Sequence, residues 1–306
     1  MASIRTSARL CAAVSGAMAW TNVHAQSIEP RAYSPAPNGT NFAILALAES
    51  DGAIPIDPAL PLSDIDLKVR SILGGYARSL DVFGKSAKFD LIVPYGEITG
   101  SADYFGEPVE RNVSGFGDPL ARLTVLLHGA PAMNAAEFRN YRQDLLLGAS
   151  VQVSVPVGQY DEDRLLNLGS HRWSVKPELG LSRVFGRWTI ELATGATFYG
   201  DNKRFLDTHR RSQKPIYSAQ SHVIYNVAPS TWIAANLSWF GGGRTSIDGI
   251  EDDNLQRNWR IGITAAMPLD RRVSLKANAS TGVSARTGNN FDLFGIALQY
   301  RWGAGI

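Results

Sequence analysis

Charged side chains recur at alternate positions inside otherwise apolar stretches of this 306-residue chain: Lys68 and Arg70, Arg122, Arg172 with Lys176 and Glu178, Glu191, Arg260, Lys276 and Arg301. A charge in mid-strand is costly unless it faces water or an opposite charge. Such residues therefore suit the wall of an aqueous passage. Adding Arg78, Lys88 and Arg187 on the basic side, and Asp90 and Asp144 on the acidic side, gives eleven positive against four negative groups. A narrow basic lumen concentrates anions, aromatic carboxylates and phenolates among them.

Other reactive residue types are sparse. Histidine occurs at 128, 171, 209 and 222 beyond residue 25. Hydrolysis would need a serine within hydrogen-bond reach of such a base. Ser170-His171 and Ser221-His222 are sequence neighbours, which on a strand point to opposite faces. No His-x-Ser places both on one face, so no catalytic residue is assigned and an enzyme is not expected. The acidic loops Tyr160–Arg164 and Ile250–Asn254 lack the spacing of an EF-hand and read as solvated loops, and no metal or other cofactor is implied. Gly241-Gly242-Gly243 opens no helix and reads as a loop.

The elements that must position the charges are strands. Period-two alternation divides the chain into twelve segments, at about 40–49, 65–80, 86–99, 118–128, 142–156, 170–184, 186–200, 214–227, 230–241, 256–268, 271–285 and 291–302. Trp188, Ile190, Leu192, Thr194, Ala196 and Phe198 make one face of the clearest of them. Long and short connections alternate almost throughout, and aromatic residues bracket the apolar faces; Tyr76 and Trp232 have the wrong parity for that pattern. This predicts an all-β fold, an up-and-down antiparallel transmembrane barrel with short periplasmic turns and longer extracellular loops. In lipid the sheet must close, because an open edge leaves amide groups unpaired. A soluble β-sandwich also alternates, but it accounts neither for the loop alternation nor for the aromatic bracketing. The link 129–141 is the exception, with helical character where a tight turn is expected.

Residues 1–25 read as a secretory signal peptide: Arg5 and Arg9, an apolar stretch from Leu10 to Trp20, and a small-x-small site ending at Ala25. They hold Cys11, the one cysteine, and two of the 30 Lys+Arg but none of the 28 Asp+Glu. The exported product would be formally neutral, which removes any global case for nucleic-acid binding. Residues 26–39, with prolines at 30, 35 and 37, cannot form a regular strand and make a periplasmic N-terminal segment or partial plug. Residues 40–306 form the barrel. The longest apolar run, Phe42–Ala48, is far too short for a spanning helix.

Particular strings carry a family likeness: PRAYSPAPNGTNFAIL (30–45), PIDPALPLSDIDLKV (55–69), GYARSLDVFGKSAKFDLIVPY (75–95), SGFGDPLARLTVLLHGAPAM (114–133), RNYRQD (139–144), VPVGQYDEDRLLNLGSHRWSVKPELGLS (155–182) and QYRWG (299–303). The chain resembles the meta-pathway phenol-degradation family of Gram-negative outer-membrane proteins over nearly all of the sequence beyond residue 25. The resemblance implies a channel or transporter passing small organic solutes, aromatic ones included, across the outer membrane. Its expected partners are those solutes, outer-membrane lipid and lipopolysaccharide, and the barrel-assembly machinery. A structural or adhesive surface barrel and, more remotely, an outer-membrane lipid hydrolase are the alternatives.

Overall fold

The computed structural model describes residues 29–52, 63–104, 107–286 and 291–305. The predicted signal peptide, the rest of the 50–64 and 286–290 loops, and Ile306 lie outside these. The first part of the chain forms β1 (Asn41–Gly52), β2 (Ser63–Val82), β3 (Lys85–Tyr104), β4 (Glu107–Phe116), β5 (Leu120–His128), α1 (Ala135–Asn140) and β6 (Leu145–Ser154). β7 (Ser174–Phe185), β8 (Trp188–Tyr199), β9 (Asn202–Phe205), β10 (His209–Gln213), β11 (Ile216–Ala228) and β12 (Thr231–Gly242) follow. The chain ends with β13 (Thr245–Ile247), β14 (Ile250–Glu251), β15 (Gln256–Pro268), β16 (Val273–Ser284) and β17 (Phe291–Trp302).

Twelve antiparallel strands close into a barrel in the order β2, β1, β17, β16, β15, β12, β11, β8, β7, β6, β5, β3, and the ring is completed by the β2–β3 ladder. The alternation that predicts the strands is the alternation of burial. In β1, Phe42, Ile44, Ala46, Ala48 and Ser50 point inward, while Leu45 and Leu47 are exposed on the outer wall. That outer wall is banded by rings. Trp302 lies between Tyr76 and Tyr300 near the chain-terminal end, and Trp188 packs on Tyr225 at 4.8 Å. Tyr95 meets Phe116 edge-on near the other end.

Three stretches expected to be loop contain strands. β4 continues the line of β5 along the upper half of β3, from Tyr95 opposite Phe116 to Tyr104 opposite Glu107, while β5 takes the lower half. Each face of β4 mixes charged with apolar residues, so the segment carries no clean period-two signal; the backbone ladder on β3 holds it. The loops after β8 and β12 likewise pair into a four-stranded sheet, β14-β13-β10-β9, above the barrel.

The irregular periplasmic link has a physical basis. Asn134 caps α1, accepting from the backbone of Ala136 and Glu137 while Glu137 returns a bond to the Asn134 N–H. The link then lies across the β2–β3 turn, with Ala132 N bonded to Gly84 O and Ser86 N to Ala130 O, and Met133 O accepts from Asn38 N at 2.7 Å. It is a clamp on the segment that precedes β1.

One expected orientation is reversed. On β2 the odd residues Leu67, Val69, Leu73, Ala77 and Ser79 are buried, so Lys68 and Arg70, expected in the lumen, stand on the outer wall, as does Arg78. β2 is 20 residues long. It outreaches the hydrocarbon layer, so charges at its outward ends stay in water. There Lys68 Nζ lies 3.2 Å from Glu49 and Arg70 Nε 3.0 Å from the same carboxylate. The same inversion makes Tyr76 a normal outer-wall ring, while Trp232 faces inward, 2% exposed.

Candidate functional site

The lumen is built from the inward positions of the twelve strands. Lys88, Arg122, Arg172, Lys176, Arg260, Lys276 and Arg301 point into it or its mouths, against Asp90, Glu178 and Glu191. Once Lys68, Arg70 and Arg78 are removed, the wall retains a basic surplus.

These charges are bridged by residues 29–40, which cross the lumen. Glu29 accepts from both guanidinium nitrogens of Arg122, at 2.5 and 2.8 Å, and Arg122 Nε donates to Asp90 at 3.0 Å. Lys88 completes the chain, 3.8 Å from Asp90 and bonded to Ala32 O at 3.2 Å. Glu191 accepts the Arg31 N–H at 2.6 Å and a bond from Ser182. Tyr33 Oη donates to Glu178 at 3.0 Å, and Lys176 lies 2.8 Å from the same carboxylate. Bidentate, desolvated pairs of this kind fix geometry, and removing one partner costs about 3–5 kcal/mol because it strands the other.

The seat for Tyr33 is cut by glycine. Gly148 and Gly180 are directly paired across β6 and β7 on the inner face. A Cβ would lie 2.4 Å from the Tyr33 ring at Gly148 and 2.0 Å from it at Gly180. Only a residue without a side chain leaves that notch. What remains between segment and wall is a cavity of about 20 Å³, room for a water-sized guest, lined by Glu29, Tyr33, Arg122, Glu178, Glu191 and His222 among others.

The opposite mouth is capped by apolar packing. Leu166 and Leu168, from the loop after β6, pack with Leu67, Val69, Ile98 and Phe205. Asp118 anchors that loop, accepting from Gly158 N, Ser170 N and Ser170 Oγ at 2.6 to 2.9 Å. Arg172 reaches Gln213 and stacks 4.6 Å over Tyr199, and Arg260 binds Phe291 O and Ser280 beside the Phe291 ring. Arg301 donates to Arg271 O at the other rim.

Sequence reasoning missed Glu29, Arg31 and Tyr33, because an aperiodic proline-containing segment gives no face to assign. Neither serine-histidine neighbour forms a pair. Ser170 serves Asp118, His171 stacks on Tyr160, and His222 Nδ1 shares a hydrogen bond with Asn236 Oδ1 at 2.8 Å. Among the described residues no cluster of three His, Cys, Asp or Glu could hold a metal ion. The acidic loops are matched by arginine and lysine: Glu162 with Arg204, Glu251 with Lys214 and Arg244, Asp253 with Arg286.

The crystal structure of an outer membrane channel from Pseudomonas putida F1 is similar, with a TM-score of 0.72 at 21% identity, covering 90% of this chain and 100% of that one. The β domain of the Bordetella autotransporter BrkA gives a TM-score of 0.49 at 11% identity over 86% of this chain and 99% of that one. The KdgM porin in complex with disordered oligogalacturonate gives 0.47 at 8% identity over 86% and 99%. No curated protein sequence matches the chain. The first likeness establishes the barrel fold. The family described as "Putative MetA-pathway of phenol degradation" matches residues 52–301, and the chain belongs to it.

Proposed function

We propose that this protein is an outer-membrane channel for small organic solutes with a preference for anions, in which residues 29–40 form a partial plug. The observation that carries this reading is the lumen itself: a closed barrel with an apolar outer wall and a basic inner wall, crossed by a segment tied to Arg122 and Glu178. The family match and the likeness to an outer membrane channel support the same class. In this reading residues 1–25 are a cleaved export signal, the barrel-assembly machinery inserts the barrel, and the outward charges Glu49, Lys68 and Arg70 lie at the level of lipopolysaccharide head groups. No group of the lumen is assigned a catalytic role.

Planar-bilayer recording tests it. The full chain should conduct weakly, with reversal potentials favouring chloride over potassium, and Glu29→Ala with Tyr33→Ala should raise conductance by loosening both tethers of the segment. Cation-favouring reversal potentials would reject the anion preference. Unchanged conductance in the double variant would reject the plug.

A further inference from the structure

The inner wall carries three buried donors with nothing to donate to. Lys276 Nζ on β16, Trp232 Nε1 on β12 and Arg31 Nε in the N-terminal segment make no hydrogen bond among the described residues. Lys276 is 6% exposed and Trp232 2%. They are neighbours: Trp232 pairs with Ala266, and Ala266 with Lys276, so the three form one row across β12, β15 and β16, with a methyl group between the indole and the ammonium. The row continues to Ala297 on one side and to Asn226 on the other, and Asn226 binds the Arg31 guanidinium. Arg31 Cζ lies 5.2 Å and Lys276 Nζ 6.0 Å from the Trp232 ring centroid.

Glu29 and Glu191 attract the Lys276 ammonium only through space, and their described hydrogen bonds go to other groups. Glu29 is bound by Arg122, and Glu191 receives the Arg31 backbone and Ser182. The unpartnered acceptor on the same strand, Asn278 Oδ1, is neutral and compensates no charge. An orphaned buried donor costs about 1–3 kcal/mol, more when charged, and three in one place point to an absent acceptor. Arg31 is also held at φ 66°, a left-handed conformation that arginine adopts at a cost and that aims its side chain at Asn226 and Trp232.

We propose that Lys276, Trp232 and Arg31 form a binding site for the carboxylate of a small organic acid. The ammonium and the guanidinium supply the charge, and the indole N–H supplies a directional bond. The site is shared between wall and plug, and it rests on the lumen reading above.

The test uses the purified full chain in detergent, with benzoate as probe and benzamide as its neutral counterpart, read by isothermal titration calorimetry at pH 6.5. Benzoate should bind saturably, with a Kd on the order of 1 mM, and benzamide at least about tenfold more weakly. Lys276→Met and Trp232→Phe should each weaken benzoate by about tenfold, and Lys276→Arg should retain it. Heat-modifiable gel mobility confirms that each variant is folded. No saturable benzoate binding, benzamide binding as tightly as benzoate, or a folded Lys276→Met that binds benzoate like the parent overturns the site. Since binding is read without flux, a chain that binds benzoate but does not conduct overturns only the channel reading.

Discussion

Tyr33 depends on two residues with no side chain. Its ring fills the notch over Gly148 and Gly180, and a methyl group at Gly180 would sit 2.0 Å from a ring carbon, far inside contact distance. Overpacking of this kind costs about 1–3 kcal/mol, so Gly180→Ala should shift the ratio of seated to released segment by roughly thirtyfold at a cost near 2 kcal/mol. Conductance should rise in Gly180→Ala, and Gly180→Ala with Tyr33→Ala should conduct no more than Tyr33→Ala alone, because the ring that clashes is gone; equal conductance in parent and Gly180→Ala would mean that the ring is not what holds the segment. The glycines were legible as inner-face residues, but Tyr33 is more than a hundred positions from either, and no local pattern connects them. Lys68 and Arg70 show the opposite failure. Their strand alternates on both faces, and the aliphatic set Leu67, Val69 and Leu73 looks like the lipid side. Tyr76, the ring out of place in that assignment, was the available sign that the parity should be reversed.

At the scale of elements, the barrel strands were legible because their two faces meet different solvents. β4 and the β9, β10, β13 and β14 sheet were not, because they stand above the membrane, where faces no longer divide between lipid and lumen; Val113, Phe205 and Ile247 instead pack singly onto the apolar cap of the mouth. That outer sheet is held by ionic contacts. Asp248 accepts from His209 at 2.5 Å and from the Arg210 N–H at 2.8 Å, while Lys214 and Arg244 both reach Glu251. The His209 side chain and the Arg210 amide hold the Asp248 carboxyl below the usual carboxylate range, and Lys214 and Arg244 do the same for Glu251. A depressed folded-state value means that the stabilisation is complete above the unfolded carboxylate pKa and is lost as pH falls through the folded one, so the window lies below about pH 4. Amide hydrogen exchange in 209–213 and 245–251, corrected for intrinsic rates, should be level from pH 7 to 5 and rise below 4, while β11 and β12 stay protected. A rise already complete at pH 5 would show that these carboxylates do not hold the sheet.

The whole molecule inverts the usual arrangement of a folded chain, with its apolar side outward and its ion pairs inside, and adjacent residues of one strand should report that inversion. Leu298 lies on the outer wall near the middle of β17, 45% exposed and paired with Leu45 and Leu275; its neighbour Gln299 faces the lumen, 4% exposed. In a bilayer, an arginine at a lipid-facing mid-strand position costs about 2–4 kcal/mol, whereas a lumen-facing one can reach water or an acid. Leu298→Arg should therefore lower the guanidinium unfolding free energy in lipid vesicles by about that amount, and Gln299→Arg by clearly less while altering ion selectivity. In a soluble protein with a conventional core the order would be reversed, since Gln299 is the buried position and Leu298 the exposed one. A larger loss at Gln299 than at Leu298 would thus overturn the membrane orientation itself, and with it the assignment of the inner wall as a passage.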